Sequence, residues 1–168
     1  FSKPYFLQKL LESFVHEDFV HELDFSTLKR WDKSFIDEAY REKESDLIFS
    51  IEFKGRECYI YLLLEFQSTV DKHMPMRFLR YILEFYESNR YLKTCGKYPA
   101  VFPLLLYTGD LTWTAEYEIG RMIEQSLPSK YIPTFCYYPI CENEISKESL
   151  LKIKNAVSAV FYVENSSP

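Results

Sequence analysis

Glycine is scarce here, with four residues among 168. That scarcity suits a globular composition rather than a disordered one. Cysteine is sparse too. Cys58, Cys95, Cys136 and Cys141 form no CxxC pair, which excludes the common zinc and redox spacings. Buried, reduced thiols are the expectation, as in a cytoplasmic protein. His16, His21 and His73 show no HExxH-type spacing, so a histidine zinc site is not expected. No apolar run has the length of a membrane span, and the N-terminus does not read as a signal peptide. An excess of positive charge is also missing. At a net charge of −5 the chain is not a general nucleic-acid glue, because that affinity comes from Lys and Arg neutralising phosphates. Internal repeats, linkers and low-complexity tracts are absent. The chain opens at Phe1 without a Met, as expected of a trimmed piece.

Apolar material is abundant. Hydrophobic residues make up 47% and aromatic residues 18%, which suits one domain over 1–168 with a substantial core. Tyr5–Leu23 has the three- and four-residue spacing of an amphipathic helix. Asp24–Trp31 is polar and mixed. Ser34–Tyr40 is expected to hold a short strand, followed by a turn near Glu42–Lys43. Pro75 suits the first turn of a helix predicted over Met74–Leu92. Pro99–Gly109 reads as a buried strand, in which Pro103 implies a bulge or an unpaired side. Thr114–Leu127 is expected to be helical, Thr134–Ile140 a strand and Ser146–Val163 helical. The sum is a mixed α/β domain, with a right-handed crossover expected after Gln67.

The stretch SDLIFSIEFKGRECYIYLLLEFQST, Ser45–Thr69, reads as a β-hairpin. With Gly55-Arg56 as a type II′ loop, every facing pair of residue numbers has the same sum. One face then carries Phe53–Cys58, Ile51–Ile60, Phe49–Leu62 and Leu47–Leu64, apolar throughout. The other places Asp46 opposite Glu65, with Cβ atoms roughly 4.5–5.5 Å apart. Gln67 shares that face and Glu44 faces it. Like charges so disposed must be solvated, partly protonated or bridged by a cation. Solvated acids at a strand end are the plainer reading. A hard cation such as Mg²⁺ accepts this kind of oxygen set.

Asp, hairpin, then Glu-x-Lys or a variant is the pattern of the PD-(D/E)XK nuclease superfamily, whose core order is αβββαβ. More narrowly, SFIDEAYREKESDLIFSIEF, YIYLLLEFQSTVDKHMPMRFLRYILEFYE and FPLLLYTG resemble the Rpn family of recombination-promoting nucleases, also described as YhgA-like putative transposases. The resemblance covers roughly residues 5 to 140. It implies a restriction-endonuclease-like α/β fold, a mixed sheet flanked by helices. It also implies metal-dependent hydrolysis of DNA phosphodiesters, with Mg²⁺ or Mn²⁺ held by Asp46, Glu65 and the backbone carbonyl of Phe66. Gln67 would position the attacking water. It stands where the superfamily usually has Lys, and a neutral amide can only orient and donate, which shifts catalysis onto the metal. Glu38, and after it Glu12 or Glu17, would be an auxiliary acid. Arg77 and Arg80, about one turn apart, would face the DNA backbone. Family members carry an N-terminal His-Asp and Phe-Lys segment ahead of the first helix, and this chain is expected to begin after it. A homo-oligomer is compatible with all of this. Two alternatives stay open: a catalytically inactive nucleic-acid-binding or protein-interaction module on the same fold, and a plain α/β scaffold with no metal.

Overall fold

The computed structural model describes residues 3–31, 46–65, 69–89 and 96–164. The expected strand at Ser34–Tyr40, the turn after it and the last residues of the helix expected to reach Leu92 lie outside the described residues. Nine elements follow in the order α1 (Pro4–Phe14), β1 (Leu23–Arg30), β2 (Asp46–Phe53), β3 (Arg56–Glu65), α2 (Met74–Ser88), β4 (Val101–Tyr107), β5 (Tyr138–Cys141), α3 (Lys147–Ile153) and α4 (Ala156–Glu164), with short 3-10 turns between some of them. The strands form one mixed sheet in sequence order: β1–β2–β3 antiparallel, β3–β4–β5 parallel. The expected α/β class and the αβββαβ order from α1 to β4 are borne out.

β3 and β4 have cover on both faces, so Leu62-Leu63-Leu64 and Leu104-Leu105-Leu106 are continuous apolar runs rather than alternating ones. One face, with Leu47, Phe49, Ile51, Ile60, Leu62, Leu104 and Leu106, packs on α1, α3 and α4. The other, with Ile48, Tyr59, Tyr61, Leu63, Leu105 and Tyr107, packs on α2 and the β4–β5 connection. α1 offers Leu7, Leu10, Leu11 and Phe14, a clean helical stripe. α2 offers Met74, Phe78, Ile82 and Phe85, with Pro75 in its first turn.

Several elements differ from expectation. The first helix ends at Phe14 rather than Leu23. Val15 is extended, and the Tyr138 hydroxyl accepts from the His16 amide at 3.0 Å, so a partner 122 residues away ends the helix. The polar stretch after it is strand β1. Its register slips between Asp24 and Lys29, where Asp24 Oδ1 accepts from the Ser26 amide and the Thr27 hydroxyl accepts from Glu52 N. Thr114–Leu127 is not an α-helix. Glu118 pairs with Cys136 and the Ile119 amide donates to Phe135 O at 2.9 Å, so only a short 3-10 turn, Ile119–Met122, forms within it. Ser146–Val163 is two helices. Lys154 is left-handed, and Asn155 Oδ1 accepts from the Ser158 amide while Ser158 Oγ accepts from the Asn155 amide, a reciprocal cap that starts α4 afresh.

Pro103 shows the unpaired side expected of it. The residues flanking β4 bond to β3 (Tyr59 N to Ala100 O, Thr108 N to Glu65 O), and this even-numbered phase turns the Pro103 nitrogen toward β5. Pairing with β5 begins only at Leu104.

The hairpin turn is Lys54-Gly55, not Gly55-Arg56. Phe53 faces Arg56, and both turn residues have positive φ, 51° and 72°, as a type I′ turn requires. An added Cβ at Gly55 would meet nothing within 4 Å. Gly55→Ala should therefore cost only the left-handed backbone penalty of about 1–2 kcal/mol, read as a lowered denaturant midpoint at unchanged m-value.

A buried acid follows β5. Burial pushes the Glu142 carboxyl from 4.5 up to about 8, and the hydrogen bond and charge of Glu164 at the end of α4 add to it. The folded state thus keeps a proton that the unfolded chain releases above about pH 4.5. Stability should be complete below that pH and fall by on the order of 2–4 kcal/mol as pH rises to 8. Denaturant melts of Glu142→Gln across this range should show the slope removed and the protein more stable than wild type at pH 8.

Candidate active site

Asp46 opens β2 and Glu65 closes β3, so antiparallel pairing brings the two ends together. The register differs from the expected one by two residues. Asp46 faces Leu63, and Glu65 lies one diagonal step further on. A shift of two preserves the faces, so both acids remain on the α2 side of the sheet, among Ile48, Tyr61 and Leu63. Diagonal neighbours have Cα atoms about 7–8 Å apart, which is less repulsive than direct opposition. Neither acid dangles in solvent: Asp46 is 7% exposed and Glu65 4%. The reading of solvated strand-end acids is therefore wrong for this pair.

Each acid has its own donor. Tyr61 OH donates to Asp46 Oδ2 at 3.1 Å. Arg77 Nη1 donates to Glu65 Oε2 at 2.7 Å, and both side chains are almost wholly buried. The two donors meet through aromatic rings. Tyr61 stacks on Tyr81, with centroids 5.9 Å apart and planes 12° from parallel. Arg77 Nε donates to Tyr81 OH at 3.2 Å. Burial pushes the Tyr61 phenol far up, and the neighbouring Asp46 charge adds to this, so Tyr61 stays protonated and donates. Burial opposes the Arg77 charge, but the bonds to Tyr81 and Glu65 outweigh it and hold the guanidinium above its ordinary value. Further along α2, burial raises Glu84, the Arg80 charge opposes that, and Glu87 and Asp46 add to it.

Arg77 and Arg80 do not share an environment. Arg77 points inward to Glu65, with Asp71 Oδ2 at 3.5 Å. Arg80 is mostly in solvent, 3.5 Å from Glu84 and with its guanidinium carbon 5.0 Å from the Tyr81 ring centroid. Phe66, Gln67, Glu38 and Glu44 lie outside the described residues. Glu12 is bound to Lys9 and Gln8 on the surface of α1, the opposite face of the sheet from the acid pair. Glu17 precedes a 3-10 turn. Sequence reasoning missed Tyr61 and Tyr81. Their signal was faint: Tyr61 lies four residues before Glu65 on the same strand face, and Tyr81 one helical turn after Arg77.

A divalent cation can be tested against this donor set. Among the described residues, no group of three or more His, Cys, Asp or Glu gathers closely enough to hold a metal. Two buried carboxylates on one face do suit Mg²⁺, which uses one or two carboxylates and keeps several waters. A carboxylate that accepts a hydrogen bond keeps further lone pairs that a cation can use. Glu65 and Asp46 fit the ion on these grounds, with Arg77 as a competing positive charge.

The fold and site define a class first: an α/β domain whose mixed sheet, flanked by helices, carries a buried acid pair at one end of its central hairpin. The model of one family, described as "Putative transposase, YhgA-like", matches residues 1–164, and the chain belongs to that family. Among curated proteins the chain is similar to the recombination-promoting nuclease RpnC of Escherichia coli K12, 33% identical over 90 residues that cover 53% of this chain and 29% of that protein. It is also similar to the recombination-promoting nuclease RpnA of the same strain, 38% identical over 91 residues, 54% of this chain and 31% of RpnA. A third relative, 30% identical over 109 residues, is the inactive recombination-promoting nuclease-like protein RpnE, with 61% of this chain and 36% of RpnE covered. The chain thus spans about a third of the length of these relatives. No solved structure matches it. Among the described residues no helix is long and apolar enough to cross a membrane.

Proposed function

We propose that this domain is the catalytic part of a metal-dependent DNA endonuclease of the PD-(D/E)XK type, serving recombination or transposition. The observation that carries the reading is the buried acid pair Asp46 and Glu65 on one face of the hairpin. The names of RpnC and RpnA, recombination-promoting nucleases, support it.

Asp46 and Glu65 would hold Mg²⁺ or Mn²⁺, with the Phe66 carbonyl as a further oxygen. The bound ion would polarise a phosphate oxygen and lower the pKa of water. Gln67 would orient the attacking water. The water's oxygen would bond to phosphorus as its proton passes to solvent, the bond from phosphorus to the leaving sugar oxygen would break, and that oxygen would take up a proton from solvent. Tyr61 fixes the Asp46 carboxylate by its hydrogen bond and excludes water from the apolar side. Arg80, exposed on α2, would meet the phosphate backbone.

A second reading is an inactive member of the family that binds nucleic acid or protein. It is favoured by the guanidinium already seated on Glu65 and by the neutral Gln67, and RpnE bears the name inactive. Supercoiled plasmid incubated with Mg²⁺, Mn²⁺ or Ca²⁺ separates the two. The endonuclease nicks or linearises it with Mg²⁺ or Mn²⁺. Intact plasmid in every metal, together with no saturable Mn²⁺ binding, establishes the inactive reading.

A further inference from the structure

We infer that Arg77 is a built-in counter-ion to Glu65 that sets the affinity of the acid pair for a divalent cation. This rests on the metal-binding reading above and adds a regulating residue to it. The guanidinium is held at three points: Glu65 Oε2 at 2.7 Å, Tyr81 OH at 3.2 Å and Asp71 Oδ2 at 3.5 Å. Through Tyr81 and Tyr61 the same assembly reaches Asp46. Both acids are thereby fixed before any ion arrives.

Packing alone does not explain the pair. A buried ion pair gives little net stability over apolar residues of the same volume. What Arg77 does supply is charge where charge matters. It keeps Glu65 compensated in a buried site while no ion is present. It also repels a dication approaching the same carboxylate, and burial leaves that repulsion poorly screened. Asp71 offers the guanidinium a second partner. Its side chain is 32% exposed, so Arg77 can lean toward it as an ion takes Glu65. Arg77 is thus a positioning residue that weakens cation binding in exchange for a preformed site.

The test is Mn²⁺ titration by calorimetry on the intact chain, with Asp46→Asn as the binding-site control. Arg77→Met removes both charge and hydrogen bonds. Arg77→Gln keeps an N–H donor without the charge and serves if Arg77→Met does not fold. Arg77→Lys keeps the charge and loses the planar fork. Loss of charge should lower the Mn²⁺ Kd by at least about tenfold, whereas Arg77→Lys should stay within about threefold of wild type. At saturating Mn²⁺ the Arg77→Met cleavage rate should fall, since Glu65 has lost its orienting bond. Tighter Mn²⁺ binding with slower cleavage is a combination that a purely structural role does not produce. If Asp46→Asn abolishes binding but Arg77→Gln binds Mn²⁺ no tighter than wild type, the counter-ion role fails and the metal site stands. If wild type itself shows no saturable Mn²⁺ binding, both fail.

Discussion

Asp46→Asn should reduce Mg²⁺-dependent plasmid cleavage by about 10²–10³-fold or more while the protein remains folded. The substitution keeps the size of the side chain and its acceptor for Tyr61 OH, but removes the charge that would hold a cation. Losing a metal's stabilisation of transition-state charge removes several kcal/mol, and each 1.4 kcal/mol is about tenfold in rate. Stability should move the other way or not at all. Asp46 and Glu65 are buried like charges, and neutralising one relieves their mutual repulsion. Glu65→Gln should lose cleavage equally but should not be stability-neutral, because it strands the buried Arg77 guanidinium. Plasmid nicking and thermal melts on the same samples check both statements. Full cleavage by Asp46→Asn would remove the acid pair from the chemistry.

The second large effect concerns the platform under the site. Phe78 is fully buried on α2, stacked on Tyr137 at 5.1 Å and edge-on to Tyr61 at 6.4 Å. It is the residue after Arg77, so it anchors the turn of helix that presents the guanidinium. Phe78→Ala should cost about 3–5 kcal/mol, the transfer of a phenyl ring plus an unfilled cavity. For a chain of this length that lowers Tm by about 8–15 °C. Ring loss here also frees Tyr61 and Tyr81 to reorient, so the Mn²⁺ affinity of the acid pair should change as well. Phe161→Ala, equally buried but on the opposite face of the sheet against Phe14, should cost a similar stability and leave Mn²⁺ binding unchanged. Calorimetric melts and Mn²⁺ titration of the pair test whether α2 transmits to the site.

Much of the architecture was legible in the sequence. The apolar stripe of α2 and the two-faced pattern of the hairpin are local periodicities, set by the 3.6- and 2-residue repeats of helix and strand, and the continuous leucines of β3 and β4 are the mark of strands covered on both faces. Those repeats put Asp46 and Glu65 on one face, and a two-residue error in register left that conclusion intact. The error itself was undecidable locally. One glycine at Gly55 serves as the second position of a type I′ turn or the first of a type II′ turn, and both registers preserve the apolar face. Elements with weaker periodicity were misread where distant partners intervened: Tyr138 ends α1, and the strand-like pairing at Glu118–Cys136 displaces an expected helix.

By itself, then, the sequence determined which side chains share a face and that two acids stand at one end of the hairpin. Only the tertiary structure decided that these acids are buried, that they sit diagonally, and that Arg77 and Tyr61 hold them. Periodicity acts within an element. An ion pair between the end of a strand and the first turns of a helix depends on how the two elements dock, and the spacing of residues along the chain does not encode that.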